Sequence, residues 1–297
     1  MKHIPSLLFC CIIGGTFFQE STAFLEPICG VYPYRSRIYG GSQAGLSSAP
    51  WMAFLHDQSQ FICGGSLITK VFVLTAAHCV IPTPEKLLVR LGENDWTSER
   101  DCMNGFHCAP PHEEYTVIRI YTHPKFISVP SHDIALLKLH KQVQYSPAIR
   151  PICILMIENM DNFYWFVDSV KTFTLTGWGA TRYEPVSRTL QTVKLPQIDR
   201  GVCHDQYGYS VDHTNICAGD IHNFACTGDS GSPLGIMVSY GHRSVYTQIG
   251  IVSSGSEPCS GVAVFTNILS FTHWIKRTIA YDTKYMAPKN SNPLIKL

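Results

Sequence analysis

Residues 228–233 read Gly-Asp-Ser-Gly-Ser-Pro, which sets Ser230 between two glycines. Alone, such a stretch predicts only a turn. Two earlier segments change its meaning: residues 75–79 read Thr-Ala-Ala-His-Cys and end an apolar strand pattern, and residues 133–137 read Asp-Ile-Ala-Leu-Leu and begin another. A serine hydroxyl is a weak nucleophile unless a base lies beside it. A histidine, an aspartate and a serine in this chain order are therefore a candidate set for nucleophilic chemistry.

Strand patterns dominate the rest of the chain. Runs rich in β-branched and large apolar residues, each bounded by turn-forming residues, occur at 61–68, 71–75, 87–91, 115–121, 134–139, 173–176, 190–195, 236–239, 245–252 and 262–266. Many short strands at regular spacing predict an all-β sandwich or barrel. Only residues 269–281 show a late helical pattern, in which Phe271, Trp274 and Ile275 share one face.

Composition narrows the class of protein. A chain of 297 residues can bury a large core, and a hydrophobic content of 45% excludes a disordered chain. The net charge is +1 and charged residues make up 15% of the chain, so it carries no electrostatic footprint for nucleic acid.

The first segment predicts a secretory signal peptide. An apolar run at 4–18 is shorter than the roughly 20 residues of a membrane-spanning helix. The small residues Ser21 and Ala23 then occupy the −3 and −1 positions of a cleavage site. We expect removal of residues 1–23 and a secreted, extracellular protein with no membrane partner; the alternative is an N-terminal anchor.

The cysteines predict disulfides. Removing the signal peptide takes away Cys10 and Cys11 and leaves an even set of ten. Five disulfides would use every thiol, which fits an oxidising compartment. Zinc binding is the competing use, but no Cys-x-x-Cys pair is present, so we expect no metal.

Further landmarks accompany the three segments. They are residues 37–41 (Arg-Ile-Tyr-Gly-Gly), 49–51 (Ala-Pro-Trp), 63–67 (Cys-Gly-Gly-Ser-Leu), 177–179 (Gly-Trp-Gly) and 250–253 (Gly-Ile-Val-Ser). From Cys29 to about Ile275 the chain resembles the chymotrypsin-like (trypsin-like) serine protease family. The resemblance implies two six-stranded antiparallel β-barrels with a C-terminal α-helix.

The chain is most similar to secreted arthropod clip-type proteases, in which an extra close cysteine pair such as Cys102 and Cys108 is typical. A clip domain needs six cysteines, and only Cys29 of the mature cysteines precedes Ile38. We therefore expect a member without a clip domain. The expected parts are a short propeptide or light chain at 24–37, a protease domain at 38–281 and a tail at 282–297.

The resemblance assigns roles to the three segments. Ser230 would attack the scissile carbonyl, His78 would act as the general base and Asp133 would orient His78. The backbone N–H groups of Gly228 and Ser230 would form the oxyanion hole. No cofactor is implied.

Activation and disulfide pairing are also implied by the resemblance. Cleavage after Arg37 would free an α-amino group on Ile38, which would pair with Asp229 and order the oxyanion loop. The implied disulfides are Cys29–Cys153, Cys63–Cys79, Cys102–Cys108, Cys203–Cys217 and Cys226–Cys259.

The substrate-binding residues implied by the resemblance are Phe224, Ser253, Gly255 and Ala263. Trypsin-like members carry an aspartate where this chain has Phe224, so a strong preference for basic P1 side chains is not expected. An apolar pocket narrowed by Ala263 would favour small or medium apolar side chains, or it would be nearly closed. In the alternative, the ring of Phe224 turns into the core and the pocket is remodelled.

Two functional hypotheses follow. The first is a secreted serine endopeptidase made as a zymogen, with a protein or peptide substrate, an upstream trypsin-like activating protease and protein inhibitors as partners. The second is a serine protease homologue that binds or regulates with little catalysis. Glu93, Glu113 and Glu114 could supply oxygen ligands to calcium, although carboxylates in an exposed loop are usually solvated.

Overall fold

Fifteen strands and three α-helices lie in the described part of the chain, which comprises residues 23–31, 42–58, 60–103, 107–156, 164–181, 184–255, 259 and 261–286 of the computed structural model. The strands are β1 (Ser42–Gln43), β2 (Met52–His56), β3 (Phe61–Leu67), β4 (Phe72–Thr75), β5 (Leu88–Leu91), β6 (Cys102–Met103), β7 (His107–Cys108), β8 (Glu113–Thr122), β9 (Ala135–Leu139), β10 (Thr172–Gly177), β11 (Gln191–Ile198), β12 (Asn215–Ala218), β13 (Pro233–Tyr240), β14 (Arg243–Ser254) and β15 (Ala263–Asn267). The helices are α1 (Tyr164–Ser169), α2 (Arg200–Tyr207) and α3 (Thr272–Tyr285).

Most of these strands form two closed antiparallel barrels of six strands each. The first has the order β2-β3-β4-β9-β8-β5. The second has the order β11-β10-β13-β14-β15-β12 and closes through pairing of β11 with β12, while β1 adds to β11 as a further strand. The predicted all-β class, its two six-stranded barrels and its C-terminal helix are confirmed.

One apolar core runs through both barrels. The ring of Trp51 stacks on Tyr246 with centroids 4.8 Å apart, and Phe54 meets Trp178 edge-on at 5.3 Å. Trp51 and Phe54 lie at or next to β2 of the first barrel, whereas Tyr246 and Trp178 lie at or next to β14 and β10 of the second. Because these rings interlock, side chains at the joint between the barrels are held from both sides.

Several elements differ from the sequence predictions. The patterns do not predict β2, because all five of its side chains are buried and none of the usual alternation remains. They also do not predict α2, although Asp199 caps its N-terminus and Gly208, at φ 73°, ends it. Helix α3 begins later than expected because Ile268–Phe271 forms a 3-10 turn.

The far end of α3 is attached to the first barrel through Asp282, which is only 1% exposed. Its carboxylate accepts hydrogen bonds from Tyr121 at 2.8 Å and Arg119 at 3.4 Å, and it pairs with Lys138. Burial works against the charged form, but the hydrogen bonds from Lys138 and Tyr121 outweigh it and lower the pKa of Asp282.

Five disulfides staple the two barrels and their loops. They are Cys29–Cys153, Cys63–Cys79, Cys102–Cys108, Cys203–Cys217 and Cys226–Cys259, the same pairs that the resemblance implies. The first fastens residues 23–31 to the second barrel, where Phe24 is buried and Tyr246 N–H donates to Gly30. No helix among the described residues has the length and apolarity to cross a membrane.

Candidate active site

Asp133 lies at the joint between the barrels, immediately before β9, and is fully buried. Its Oδ1 accepts a hydrogen bond from the backbone N–H of His78 at 2.9 Å, and Oδ2 lies 2.7 Å from His78 Nδ1. Ser253 of β14 donates to the same Oδ2 at 2.6 Å, and Thr266 of β15 donates to the Asp133 carbonyl at 2.8 Å. Both barrels therefore fix this carboxylate.

His78 stands in a single 3-10 turn that follows β4. An ionised carboxylate can only accept hydrogen bonds, so we assign the ring proton to Nδ1, which leaves the lone pair of Nε2 free to take a proton. The neighbouring Cys79 is bonded to Cys63, which ties the turn to β3. The side chain of His78 is 26% exposed, so a substrate can reach it.

Ser230 reaches the same joint from the second barrel. Its carbonyl accepts from Gly64 N–H of the first barrel at 2.8 Å. Gly231, at φ 77°, fits so closely that a Cβ there would overlap Thr75 Oγ1 and would lie 3.3 Å from Cys79 Sγ. These contacts place the serine loop against the turn that carries His78.

The hydrogen bonds of the described residues do not include one between Ser230 Oγ and His78. Nε2 instead lies 3.8 Å from Cys79 Sγ. Catalytic hydrogen bonds are often long without substrate and shorten when it binds. The structure thus joins His78 to Asp133 directly and brings Ser230 to their neighbourhood.

The backbone around Ser230 offers unused donors. Within the described part of the chain, neither Gly228 N–H nor Ser230 N–H donates to a protein acceptor, whereas the N–H groups of Asp229, Gly231 and Ser232 all do. Gly228 has φ 93°, which favours glycine. Ser232 is not among the described residues with positive φ, so serine at this position causes no strain of that kind.

Asp229 is buried beneath the serine loop. Its carboxylate accepts from Gly179 N–H at 2.9 Å and from Cys226 N–H at 3.0 Å, and no cation pairs with it among the described residues. Burial raises the pKa of Asp229 to about 6, although the two backbone hydrogen bonds oppose this rise. A Cβ at Gly177 or Gly179 would overlap the carboxylate, so glycines form its cradle.

A pocket opens beside Ser230 and contains no charged side chain among its described lining residues. They are Ala225, Cys226, Thr227, Gly228, Ser230, Val252, Ser254 and Gly255. A Cβ at Gly255 would lie 3.8 Å from the Cβ of Ala263, which is almost fully buried behind the wall. The described lining therefore offers no charge to pair with a basic side chain.

Of the four residues expected to bind substrate, Phe224, Ser253 and Ala263 are not among the described residues that line this pocket. Phe224 does not appear among the described residues that line it and instead lines a second cavity, which contains Asp229. Phe224 is half-buried and is not among the residues of the apolar core, so the alternative of a ring turned into the core does not describe its position either. Ser253 directs its hydroxyl to Asp133. The sequence patterns also did not indicate Tyr209, whose hydroxyl lies 2.6 Å from Ser254 Oγ and supports the pocket wall.

The three glutamates considered as calcium ligands all contact protein groups. Glu93 is buried and lies 3.5 Å from Arg90 and 3.2 Å from His112. Burial and the nearby Asp101 raise the pKa of Glu93 to about 7. Glu113 accepts from Tyr115 at 2.5 Å, and Glu114 accepts from Arg90 at 3.3 Å.

Comparison with known proteins gives consistent matches over most of the chain. The family model described as Trypsin matches residues 38–275. The chain is 33% identical to Serine protease grass of Drosophila melanogaster over 85% of its own length and 70% of that protein. It is 31% identical to CLIP domain-containing serine protease B15 of Anopheles gambiae, over 96% of this chain and 79% of that one.

A solved structure also matches. The crystal structure of the Drosophila Grass clip serine protease of the Toll pathway superposes with a TM-score of 0.78 at 32% identity, covering 90% of this chain and 77% of that chain. The family model, the relatives and the two barrels agree, and the chain belongs to the trypsin family of serine proteases.

Proposed function

We propose that this protein is a secreted serine endopeptidase, made as a zymogen, that becomes active when the chain is cut after Arg37. His78, Asp133 and Ser230 form its catalytic triad, and the N–H groups of Gly228 and Ser230 form its oxyanion hole. Residues 1–23 direct secretion. The substrate is a protein or peptide with a small or medium neutral side chain at P1.

The observation that carries this proposal is the set of hydrogen bonds around Asp133. A fully buried carboxylate is costly unless it is satisfied, and here it accepts from the ring and backbone of His78 and from Ser253. This arrangement holds the imidazole in the tautomer whose Nε2 can take a proton from a serine hydroxyl.

The catalytic steps follow from these positions. His78 Nε2 takes the Ser230 proton as Oγ attacks the carbonyl carbon, and the oxygen that becomes negative accepts from the N–H groups of Gly228 and Ser230. The resulting imidazolium, stabilised by Asp133, then gives its proton to the leaving amine. Water repeats the sequence on the acyl-enzyme and releases the acid.

Zymogen activation is supported by Asp229. This buried carboxylate has two neutral donors and no cation among the described residues. The α-amino group of Ile38, released by cleavage after Arg37, would supply the missing charge. An upstream trypsin-like protease would make this cut because it recognises arginine.

An active-site-directed fluorophosphonate tests the proposal. Protein cut after Arg37 should be labelled, and Ser230→Ala should abolish labelling. Ser232→Ala is the matched control, because Ser232 lies in the same loop but its hydroxyl is buried without a partner among the described residues. Labelling of wild type and of Ser232→Ala, together with no labelling of Ser230→Ala, supports the enzyme. An unlabelled wild type supports the non-catalytic homologue.

A further inference from the structure

One wall hydroxyl of the pocket beside Ser230 already has a side-chain partner. Ser254, the last residue of β14, lines this pocket, and its Oγ lies 2.6 Å from the hydroxyl of Tyr209. At this distance the two hydroxyls share a hydrogen bond, in which either can donate. Tyr209 is not among the described residues that line the pocket, so the wall serine is engaged from behind.

Tyr209 follows the turn that ends α2. Gly208, at φ 73°, lets the chain reverse after the helix. The ring of Tyr209 stacks on that of Tyr207, with centroids 5.4 Å apart and planes 6° from parallel. The disulfide Cys203–Cys217 fastens the same helix to β12. The phenol therefore has a braced position next to the pocket wall.

Backbone pairing holds Ser254 only weakly. The register of β14 and β15 shifts between Val252 and Ser254, and the pair of Ser254 with Val264 is the last one between these strands. Among the described residues, Tyr209 is the hydrogen-bond partner of the Ser254 hydroxyl. The direction of that hydroxyl thus depends on a side-chain contact and not on the strand ladder.

The phenol is neutral under ordinary conditions. Burial raises the pKa of Tyr209 from its usual value of 10.0, although the hydrogen bond with Ser254 opposes this rise. A neutral phenol can both donate and accept, as can the serine hydroxyl. The contact is therefore available over the whole pH range in which His78 acts as a base.

We propose that Tyr209 is a positioning residue for the P1 pocket, whose hydroxyl keeps the Ser254 hydroxyl turned away from the substrate. This inference rests on the endopeptidase function proposed above, and it assigns P1 selectivity to a residue outside the pocket lining. Without the phenol hydroxyl, the serine side chain would be free to adopt another staggered rotamer and to bond a polar P1 side chain.

The expected gain is that of one neutral hydrogen bond. A polar P1 side chain gains little in wild type, because it would have to displace Tyr209 from Ser254. Once Ser254 is released, its unpaired hydroxyl needs a partner, and a P1 amide can supply one. Preference for that side chain should then rise by about 3- to 10-fold.

The test uses two peptides that differ only at P1, where one has asparagine and the other has leucine of similar shape. Tyr209→Phe should raise kcat/KM for the asparagine peptide relative to the leucine peptide by about 3- to 10-fold, mainly through KM. Ser254→Ala and the double variant Tyr209→Phe/Ser254→Ala should both keep the wild-type ratio, because the released hydroxyl is absent. Tyr240→Phe removes the hydroxyl of an exposed tyrosine on β13 and is the matched control.

A merely structural role would give a different pattern. It would lower kcat/KM for both peptides alike, and Ser254→Ala would not reverse the effect of Tyr209→Phe. An unchanged ratio in Tyr209→Phe, or a raised ratio that persists in the double variant, would overturn the inference.

Binding separates this inference from the proposed function. Calorimetry measures the Kd of both peptides for activated protein that carries Ser230→Ala, with and without Tyr209→Phe. Tighter binding of the asparagine peptide, relative to the leucine peptide, in the Tyr209→Phe protein supports the inference even if wild type hydrolyses neither peptide, a result that would contradict the proposed function alone. The same relative Kd in both proteins would overturn the inference.

Discussion

Ser253 donates a 2.6 Å hydrogen bond to Oδ2 of Asp133, and the two residues come from different barrels. The same oxygen contacts His78 Nδ1. The orientation of the imidazole therefore depends on a contact between the two halves of the molecule.

Ser253→Ala should lower the free energy of unfolding by about 1.5–3 kcal/mol, because a charge-assisted hydrogen bond to a buried carboxylate is lost. Urea unfolding measures the change. Ser239→Ala, an exposed serine on β13, is the matched control and should stay within about 0.5 kcal/mol of wild type. Equal effects of the two substitutions would show that the contact adds no stability.

Asp133→Asn should reduce kcat of the activated enzyme by about 10⁴-fold, the loss that the equivalent change causes in the trypsin family. An amide is similar in size to the carboxylate, but it does not hold Nδ1–H in the same way. KM should change little, because Asp133 does not touch substrate. Retention of wild-type kcat would contradict the proposed triad.

Gly255→Val should lower kcat/KM for substrates with large P1 side chains by about 10- to 100-fold, because the added methyl groups project toward Ala225 and Ala263 and fill the pocket. Hydrolysis at P1 alanine should fall much less. The comparison uses a matched pair of peptides that differ only at P1. A uniform loss for both peptides would indicate a damaged site instead of a narrowed pocket.

Asp229 gives the uncut protein a distinctive pH dependence. Because its folded pKa is raised from 3.8 to about 6, its favourable contribution is present below the unfolded value and is lost as pH rises through the folded one. His222 is the other titratable residue described in this cavity. The test compares two proteins that cannot be cut after residue 37, Arg37→Gln and Arg37→Gln/Asp229→Asn. The free energy of unfolding of the first, relative to the second, should fall by up to about 3 kcal/mol between pH 4 and 7.

Cleavage should change this pattern. In the cut chain carrying Ser230→Ala, the Ile38 amine would hold Asp229 in its charged form, so the advantage over Asp229→Asn should persist at pH 7. The same decline in both cut and uncut protein would show that no cation reaches this carboxylate.

The stability that Asp282 contributes should depend on pH in the opposite direction. Its pKa lies below 3.8, so its contribution to stability is present above that value and is lost as pH falls through the folded pKa. Asp282→Asn should cost about 3–5 kcal/mol at pH 7, because Lys138 and Arg119 lose their buried partner, and the cost should shrink below about pH 4. Asp168→Asn breaks the more exposed pair with Arg200 and should cost no more than about 1 kcal/mol.

The strands with alternating or β-branched patterns could be predicted from sequence because their local preference and their burial agree. β2 could not be predicted, because all five of its residues are buried and the alternation of apolar and polar residues that marks a strand is missing. The position of His78 and Asp133 follows from their landmarks, but the contact of Asp133 with Ser253 joins residues 120 apart and has no local signal.

The direction of the Phe224 ring is a similar case. The serine motif gives the position of Phe224 along the chain. Two cavities lie beside this segment, and the local sequence does not indicate which of them residue 224 lines. Phe224 lines the same cavity as Leu175 and Val193, which belong to β10 and β11, so residues distant in sequence surround it. Helix α2, by contrast, carried readable cap residues at both ends.

Because Cys226 lines both the pocket beside Ser230 and the cavity that contains Asp229, its disulfide with Cys259 is a boundary that the two spaces share. A substitution that enlarges one chamber moves the boundary of the other. On the function proposed above, a substitution that changes the P1 preference would therefore also alter the surroundings of Asp229.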